Sequence, residues 1–385
     1  MKAQERSVTC IAPVNIALVK YWGKRDEDLI LPVNSSLSVT LDTAALRTMT
    51  TASVVEDTSK VTMSLNGQEI DLQSNRRICA VVDRLRAMAG KQEVGLRITS
   101  ENNFPTAAGL ASSAAGLSCL AYTIANVLGA KESYPGELSA VARQGSGSAC
   151  RSLYGGFVKW NMGTADDGSD SIAEQVVDEK FWDDIRILIC VVDDRKKSTS
   201  STTGMNTSVR TSQLLQYRAE TIVPRRMKDM EDAIRSRDFS TVAELTMKDS
   251  NQFHAVCLDT YPPISYLNET SKSVIAAIHE FNAASNEIRA AYTFDAGPNA
   301  VLLCRAAHFQ ELQDVVVLCF PPSTDTSTWD DRNGAILGRG SYAPQSNSAV
   351  SSRVMDRVGN HEGEISYYIR TQIGSGPQIL YRSAH

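Results

Sequence analysis

Four stretches of the chain gather residues able to hold anions and move protons. In FPTAAGLASSAAG (104–116), Gly109 stands among small side chains immediately before an apolar run. A glycine-rich turn feeding a helix collects unpaired backbone N–H groups at the positive end of the helix dipole, which is a site for phosphate. Ala107, Ala108 and Ala111 let an anion approach, and Ser112 and Ser113 add hydroxyls. A hydroxyl so placed also suits the Mg²⁺ that accompanies nucleotide phosphates. The same letters fit a plain turn before a buried Ala-rich helix. APVNIALVKYWGKRD (12–26) sets Lys20, Lys24 and Arg25 among apolar residues, a mixture unusual for the inner face of a strand. GSGSACRS (145–152) offers hydroxyls, successive N–H groups and Arg151, whose planar fork suits a carboxylate or phosphate. TFDAGPNA (293–300) ends a strand on Asp295, either a turn cap or a carboxylate presented to a cleft.

Other nucleotide motifs fail. No G-x-x-x-x-G-K-[ST] occurs, and the run starting at Gly145 has Cys150 where a dinucleotide fingerprint needs its third glycine. RKKSTSSTTG (195–204) is a basic, hydroxyl-rich loop that becomes functional only if it lies over phosphates. His254, alone in a helical stretch, reads as a packed histidine rather than a catalytic one.

Elements must bring these stretches together, and 385 residues suffice for two lobes. Composition is that of a globular protein, 42% hydrophobic and 22% charged. A net charge of −5 gives no general attraction to nucleic acid or anionic membrane, so an anionic ligand must be held by local cations. Eight scattered cysteines without a C-x-x-C pair suit buried thiols in a reducing compartment. No apolar leader opens the sequence, and the expected location is cytoplasmic. The uncharged stretch 102–130 is long enough to cross a bilayer, but Asn103, Pro105, Ser118 and Asn126 make it a buried central helix instead.

The order of elements is mixed α+β. Strands are expected at 36–43, 46–56, 61–70 with an Asn66-Gly67 hairpin, 94–102, 155–160 and 186–192. Later strands follow at 290–294, 300–304 and 365–371. Helices are expected at 78–89, 110–128, from Pro135 to before Gly145, and at 211–237, 239–256 and 264–284. Residues 321–352 read as a long surface loop. The halves meet near 185, giving lobes 1–185 and 186–385 around a central cleft.

Together these stretches resemble one family. P-x-x-x-G-L-x-S-S-A (105–114) resembles the phosphate loop of the galactokinase, homoserine kinase, mevalonate kinase and phosphomevalonate kinase superfamily. With MKDSNQFHAVCLDTYPPISYLN (247–268) and the four stretches above, the chain is similar to diphosphomevalonate decarboxylases over nearly its whole length. The resemblance implies an N-terminal lobe like ribosomal protein S5 domain 2, a ferredoxin-like C-terminal lobe and a homodimer. It implies ATP-dependent, Mg²⁺-assisted conversion of mevalonate diphosphate to isopentenyl diphosphate, a precursor of isoprenoids and sterols. The alternatives are a kinase of the same superfamily that stops at phosphorylation, and a non-catalytic nucleotide sensor.

By the same resemblance, Asp295 lies beside the substrate's C3 hydroxyl, Lys20 near Asp295, Arg151 on the substrate carboxylate, and Asn15 orients the group. Ser113 faces the ATP phosphates and Mg²⁺, with Pro105, Ala107, Ala108, Gly109, Leu110, Ala111 and Ser112 as the cradle. Lys197 and Ser201 approach ATP from the 195–204 loop, a candidate lid. The substrate diphosphate falls to Tyr21, Trp22, Gly23, Lys24, Arg76, Ser146, Gly147, Ser148, Ala149, Cys150, Arg151 and Thr202.

Overall fold

A computed structural model describes residues 6–55, 58–103, 112–192, 199–327, 329, 334–344 and 348–383. The N-terminal lobe holds two main antiparallel-dominated sheets and a two-stranded ribbon of Lys24–Asp26 with Leu31–Pro32. The larger runs, in spatial order, Gln378–Arg382, Ser7–Pro13, Arg47–Val55, Gly95–Asn102, Val61–Leu65 and Gln68–Glu69. Only the pairing of Val61–Leu65 with Gly95–Asn102 is parallel. Alternate side chains of Arg47–Val55 and Gly95–Asn102 are buried, as a sheet with one wet face requires. Asn66 and Gly67 both take positive φ, 48° and 77°, and close the hairpin the sequence anticipates. Helix Ser112–Leu128 packs on this sheet, its Cys119 thiol donating to the Cys10 and Thr48 carbonyls. Gly129, at φ 72°, ends it.

The second sheet, Ala173–Val177, Phe157–Trp160, Ser36–Thr40 and Asn15–Val19, is what positions the site. Asn15–Val19 is buried at every position because the C-terminal lobe covers its other face. Val14, Ile16, Leu18 and Val39 share one continuous core with Ile187, Phe281, Tyr292 and Leu302 of that lobe. The C-terminal lobe is a five-stranded antiparallel sheet, Ala290–Phe294, Ala300–Arg305, Ile185–Val191, Tyr367–Gln372 and Ile336–Leu337, with helices against it. The last strand, Gln378–Arg382, returns to the N-terminal lobe beside Ser7–Pro13.

Several expected elements change on folding. The single helix expected at 211–237 is Gln213–Tyr217, a π turn at Arg218–Ile222, and Val223–Ser236. Pro224 supplies no N–H to the preceding turn, and a π turn accommodates the lost rung. Residues 201–204, read as the end of a loop, instead open helix Ser201–Thr211, capped by Ser200 and anchored by buried Met205 and Ser208. Its Thr- and Ser-rich composition hides it from propensity. The helix expected from Pro135 starts at Glu137, because Gly136 sits at φ 86°. Asn268 delays another to Glu269–Ser285 through a capping box. Helix Ala306–Cys319 had no expectation, and the expected loop 321–352 contains Ile336–Leu337 and the start of helix Ala349–Val358.

Candidate active site

The seam between the lobes opens into a cavity of about 300 Å³. Lys20 lies one residue past strand Asn15–Val19, and Asp295 one past strand Ala290–Phe294. Their side chains meet there, Lys20 Nζ donating to Asp295 Oδ1 at 2.6 Å. The lysine is buried and the carboxylate side chain is 35% exposed, so the pair presents its acidic end to the cavity.

Arg151 comes from the 3₁₀ turn Gly147–Leu153 and is buried. It donates to three hydroxyls, Ser36 Oγ (2.6 Å), Ser38 Oγ (3.0 Å) and Ser148 Oγ (3.2 Å). These neutral partners orient the guanidinium without cancelling its charge. Burial pulls its pKa down, opposed by Cys150, Asp295 and Tyr21. Asn15 is pinned from the same turn, its Nδ2 donating to the Ser148 carbonyl (3.0 Å) and Ser152 Oγ (2.7 Å). Its Oδ1 is buried without a hydrogen-bond partner among the described residues.

Beyond Lys20 the chain turns sharply. Tyr21 and Lys24 face the cavity, each with its polar end buried and without a partner among the described residues. Burial pushes the Tyr21 phenol up and lowers the Lys24 ammonium, with Arg77 lowering Lys24 further. Gly23, at φ 91°, makes that turn, and a Cβ there would sit 2.9 Å from Val209. Gly147 lets Tyr21 and Trp160 close in, since its Cβ would meet them at 2.8 and 2.9 Å. The Trp22 indole donates to Ser208 Oγ (2.9 Å) and packs edge-on against Phe253 and Tyr266.

Ser113, Ser146, Gly147, Ser148, Ser201 and Thr202 also line the cavity. Gly23, Ala149 and Cys150 do not: the last two are buried, the thiol donating to the Gly147 carbonyl at 3.0 Å. Arg76, expected at the substrate, is exposed at the first position of helix Arg76–Met88, and it is Arg77 that lines the cavity. Until the helix start is known, sequence cannot say which of two adjacent arginines turns inward. Pro105, Ala107, Ala108, Gly109, Leu110, Ala111 and Lys197 lie outside the described residues, as does the side chain of Ser112. Ala17, Ile30, Ala114, Met205, Phe253 and Ala296 complete the wall, small or apolar positions with no chemical signature in sequence. His254 is not in the wall. Burial, then Lys20, drives its pKa down to about 3, so it is a neutral ring packed on Phe253 and Phe294.

Among the described residues, four cations (Lys20, Lys24, Arg77, Arg151) and one carboxylate (Asp295) line this cavity. In a chain of net charge −5, that is the local concentration of positive charge an anionic substrate needs.

Comparison with known proteins agrees. Residues 12–173 match the diphosphomevalonate decarboxylase-like N-terminal domain and residues 187–380 the mevalonate 5-diphosphate decarboxylase C-terminal domain. The diphosphomevalonate decarboxylases of Rattus norvegicus and Homo sapiens are each 50% identical to this chain. Those alignments cover 98% and 97% of it, and 94% of each relative. A solved mevalonate diphosphate decarboxylase from Trypanosoma brucei superimposes with TM-score 0.87 at 35% identity, covering 97% of this chain and 98% of its own. A complex with MVAPP, AMPPCP and magnesium superimposes with TM-score 0.75 at 28% identity, covering 99% and 100%.

The two-lobed α+β fold and its cation-lined seam define an enzyme of the small-molecule kinase superfamily. Within that class the assignment is narrower. The chain belongs to the diphosphomevalonate decarboxylase family.

Proposed function

We propose that the seam cavity carries out ATP-dependent decarboxylation of mevalonate diphosphate, with the described side chains in the following roles. The single observation that carries this is the Lys20–Asp295 pair, 2.6 Å apart, beside a guanidinium hydrogen-bonded to three serine hydroxyls. Asp295 accepts the proton of the C3 hydroxyl as its oxygen attacks the γ-phosphorus of ATP, and ADP leaves. Lys20 holds the carboxylate ionised and screens the incoming phosphate charge. The C3–O bond then breaks with its electrons on phosphate, and positive charge develops at C3. The C1–C2 bond electrons form the new double bond and CO₂ departs. Arg151 grips the C1 carboxylate, its three serines fixing the angle of the grip.

The substrate diphosphate lies against Lys24, Arg77 and Tyr21. Lys24 fits that role because its buried ammonium has no partner among the described residues. ATP phosphates lie at the start of helix Ser112–Leu128, where Ser113 lines the cavity. Ser113 would also hold Mg²⁺, which neutralises phosphate charge when bound. Asn15 orients the reacting group, while Ser201 and Thr202 carry helix Ser201–Thr211 over the ligands.

The enzyme acts as a cytoplasmic homodimer. Family likeness supports the dimer, and free cysteines, seven of the eight buried, suit a reducing compartment. No helix among the described residues is long and apolar enough to cross a membrane. Incubation with ATP, Mg²⁺ and mevalonate diphosphate should release CO₂ and ADP together. A stable 3-phosphorylated product without CO₂ would mean a kinase instead.

A further inference from the structure

Lys20 and Asp295 belong to different lobes, yet one helix holds both. Asp249, in the middle of helix Phe239–Asp259, accepts the Lys20 backbone N–H on Oδ2 at 2.7 Å. The next residue, Ser250, accepts the backbone N–H of Phe294, which precedes Asp295, on Oγ at 3.0 Å. Arg218 completes the frame, donating to the Lys20 carbonyl (3.1 Å) and to both oxygens of Asp249 (2.9 Å each). Asp249 and Arg218 are fully buried and Ser250 nearly so, and none of the three lines the cavity.

From this geometry we infer that Asp249 and Ser250 are positioning residues that set the Lys20–Asp295 separation. Lys20 stands just beyond strand Asn15–Val19, where ladder hydrogen bonds no longer fix its peptide groups. Asp249 and Arg218 replace that ladder from the other lobe, with Asn34 of Lys20's own lobe also donating to the Lys20 carbonyl at 3.1 Å. A buried ion pair stabilises little beyond an apolar filling of the same volume, so what it supplies here is direction. Two neighbouring residues on one rigid helix thus hold the two lobes' contributions at a fixed span. The π turn that begins at Arg218 rotates its guanidinium out of ordinary helical register, in keeping with π turns at functional sites.

This inference rests on the proposed roles of Lys20 and Asp295, so the test measures three variants side by side. Ser250→Ala deletes one acceptor and leaves the cavity wall intact. Its kcat should fall about 10- to 100-fold, the scale of a slightly misplaced reacting group, with KM for both substrates within about threefold of the parent. Asp249→Asn, left with one oxygen for competing donors and no charge against Arg218 and Arg226, should show the same kcat loss at near-parent KM together with a lower melting temperature. Lower melting temperature with kcat unchanged in both variants, while Asp295→Asn is slow, overturns the positioning role alone. A near-normal rate in Asp295→Asn overturns the underlying reading instead.

Discussion

Asp295 separates two physical accounts in one substitution. Asp295→Asn keeps the shape and removes the charge, so a base or charge-stabilising role predicts a loss of ~10²–10⁴ in kcat with both substrates still bound. A turn cap predicts near-normal turnover, because Asn caps almost as well. Rate and melting curve measured together decide. Lys24 makes a different trade. Its buried, lowered-pKa ammonium is disfavoured in the free protein, so Lys24→Met should raise the melting temperature while weakening mevalonate diphosphate binding. The sign follows from linkage: its folded pKa lies below the unfolded value, so the free protein gains stability as pH rises between the two. Substrate affinity should fall over the same alkaline window as the charge is lost, readable by calorimetric titration.

At the scale of elements, the hydroxyl-rich helix Ser201–Thr211 is tied down at Ser208 by a polar chain and at Thr211, which accepts the Tyr261 N–H at 2.9 Å. The Trp22 indole donates to Ser208, whose hydroxyl lies 2.7 Å from that of Thr260. Ser208→Ala leaves a buried indole N–H without its acceptor, a cost of about 1–3 kcal/mol. The expected result is a lower melting temperature together with raised KM for ATP, since Ser201 and Thr202 ride on that helix. A stability loss with unaltered KM values would separate the helix from substrate binding. The same helix marks how far sequence reading reaches. Lys20, Arg151 and Asp295 were legible as cavity-lining residues because anion and proton chemistry demands recognisable residues in recognisable turns, whereas Gly109 lies outside the described residues. Ser201–Thr211 was not, since its helicity comes from Met205 and Ser208 packing rather than from propensity. Arg77 and the Asp249 frame were hidden for another reason. Inward facing depends on a helix start, and the partners of Asp249 are 23, 31 and 229 residues away in the chain.

Across the whole molecule, acid sensitivity should arise at the seam. His254 is held neutral to about pH 3, while an unfolded histidine takes a proton near ~6.5. The unfolded state therefore binds more protons below that value, and stability should fall steadily as pH drops from ~6.5 toward 3. Asp249 adds a second loss at lower pH. Burial raises its pKa, but Arg218 and Arg226 outweigh burial and hold it below the ordinary value, so its contribution vanishes as pH falls through that depressed pKa. Melting temperatures of the parent should decline between pH 6.5 and 5 more steeply than those of His254→Gln. Parallel curves would show that His254 is protonated in the fold.

The pairing of Gln378–Arg382 with Ser7–Pro13 also dictates how the protein is made. Synthesis runs from the N-terminus, so Ser7 leaves the ribosome 376 residues ahead of its neighbour Ser383, and Ser7–Pro13 waits that long before its outer edge is covered. Through that interval Ser7–Pro13 is a bare strand edge able to recruit the wrong partner, and chaperones that shield such edges should engage the nascent chain. Once folding finishes, the Ser7 and Ser383 backbones lie in mutual contact, N–H to carbonyl at 3.0 Å. The stretch from Ser7 to Ser383 is therefore nearly a closed ring. A short linker across that gap, with new ends cut elsewhere on the surface, should yield a circular permutant that folds without the wait.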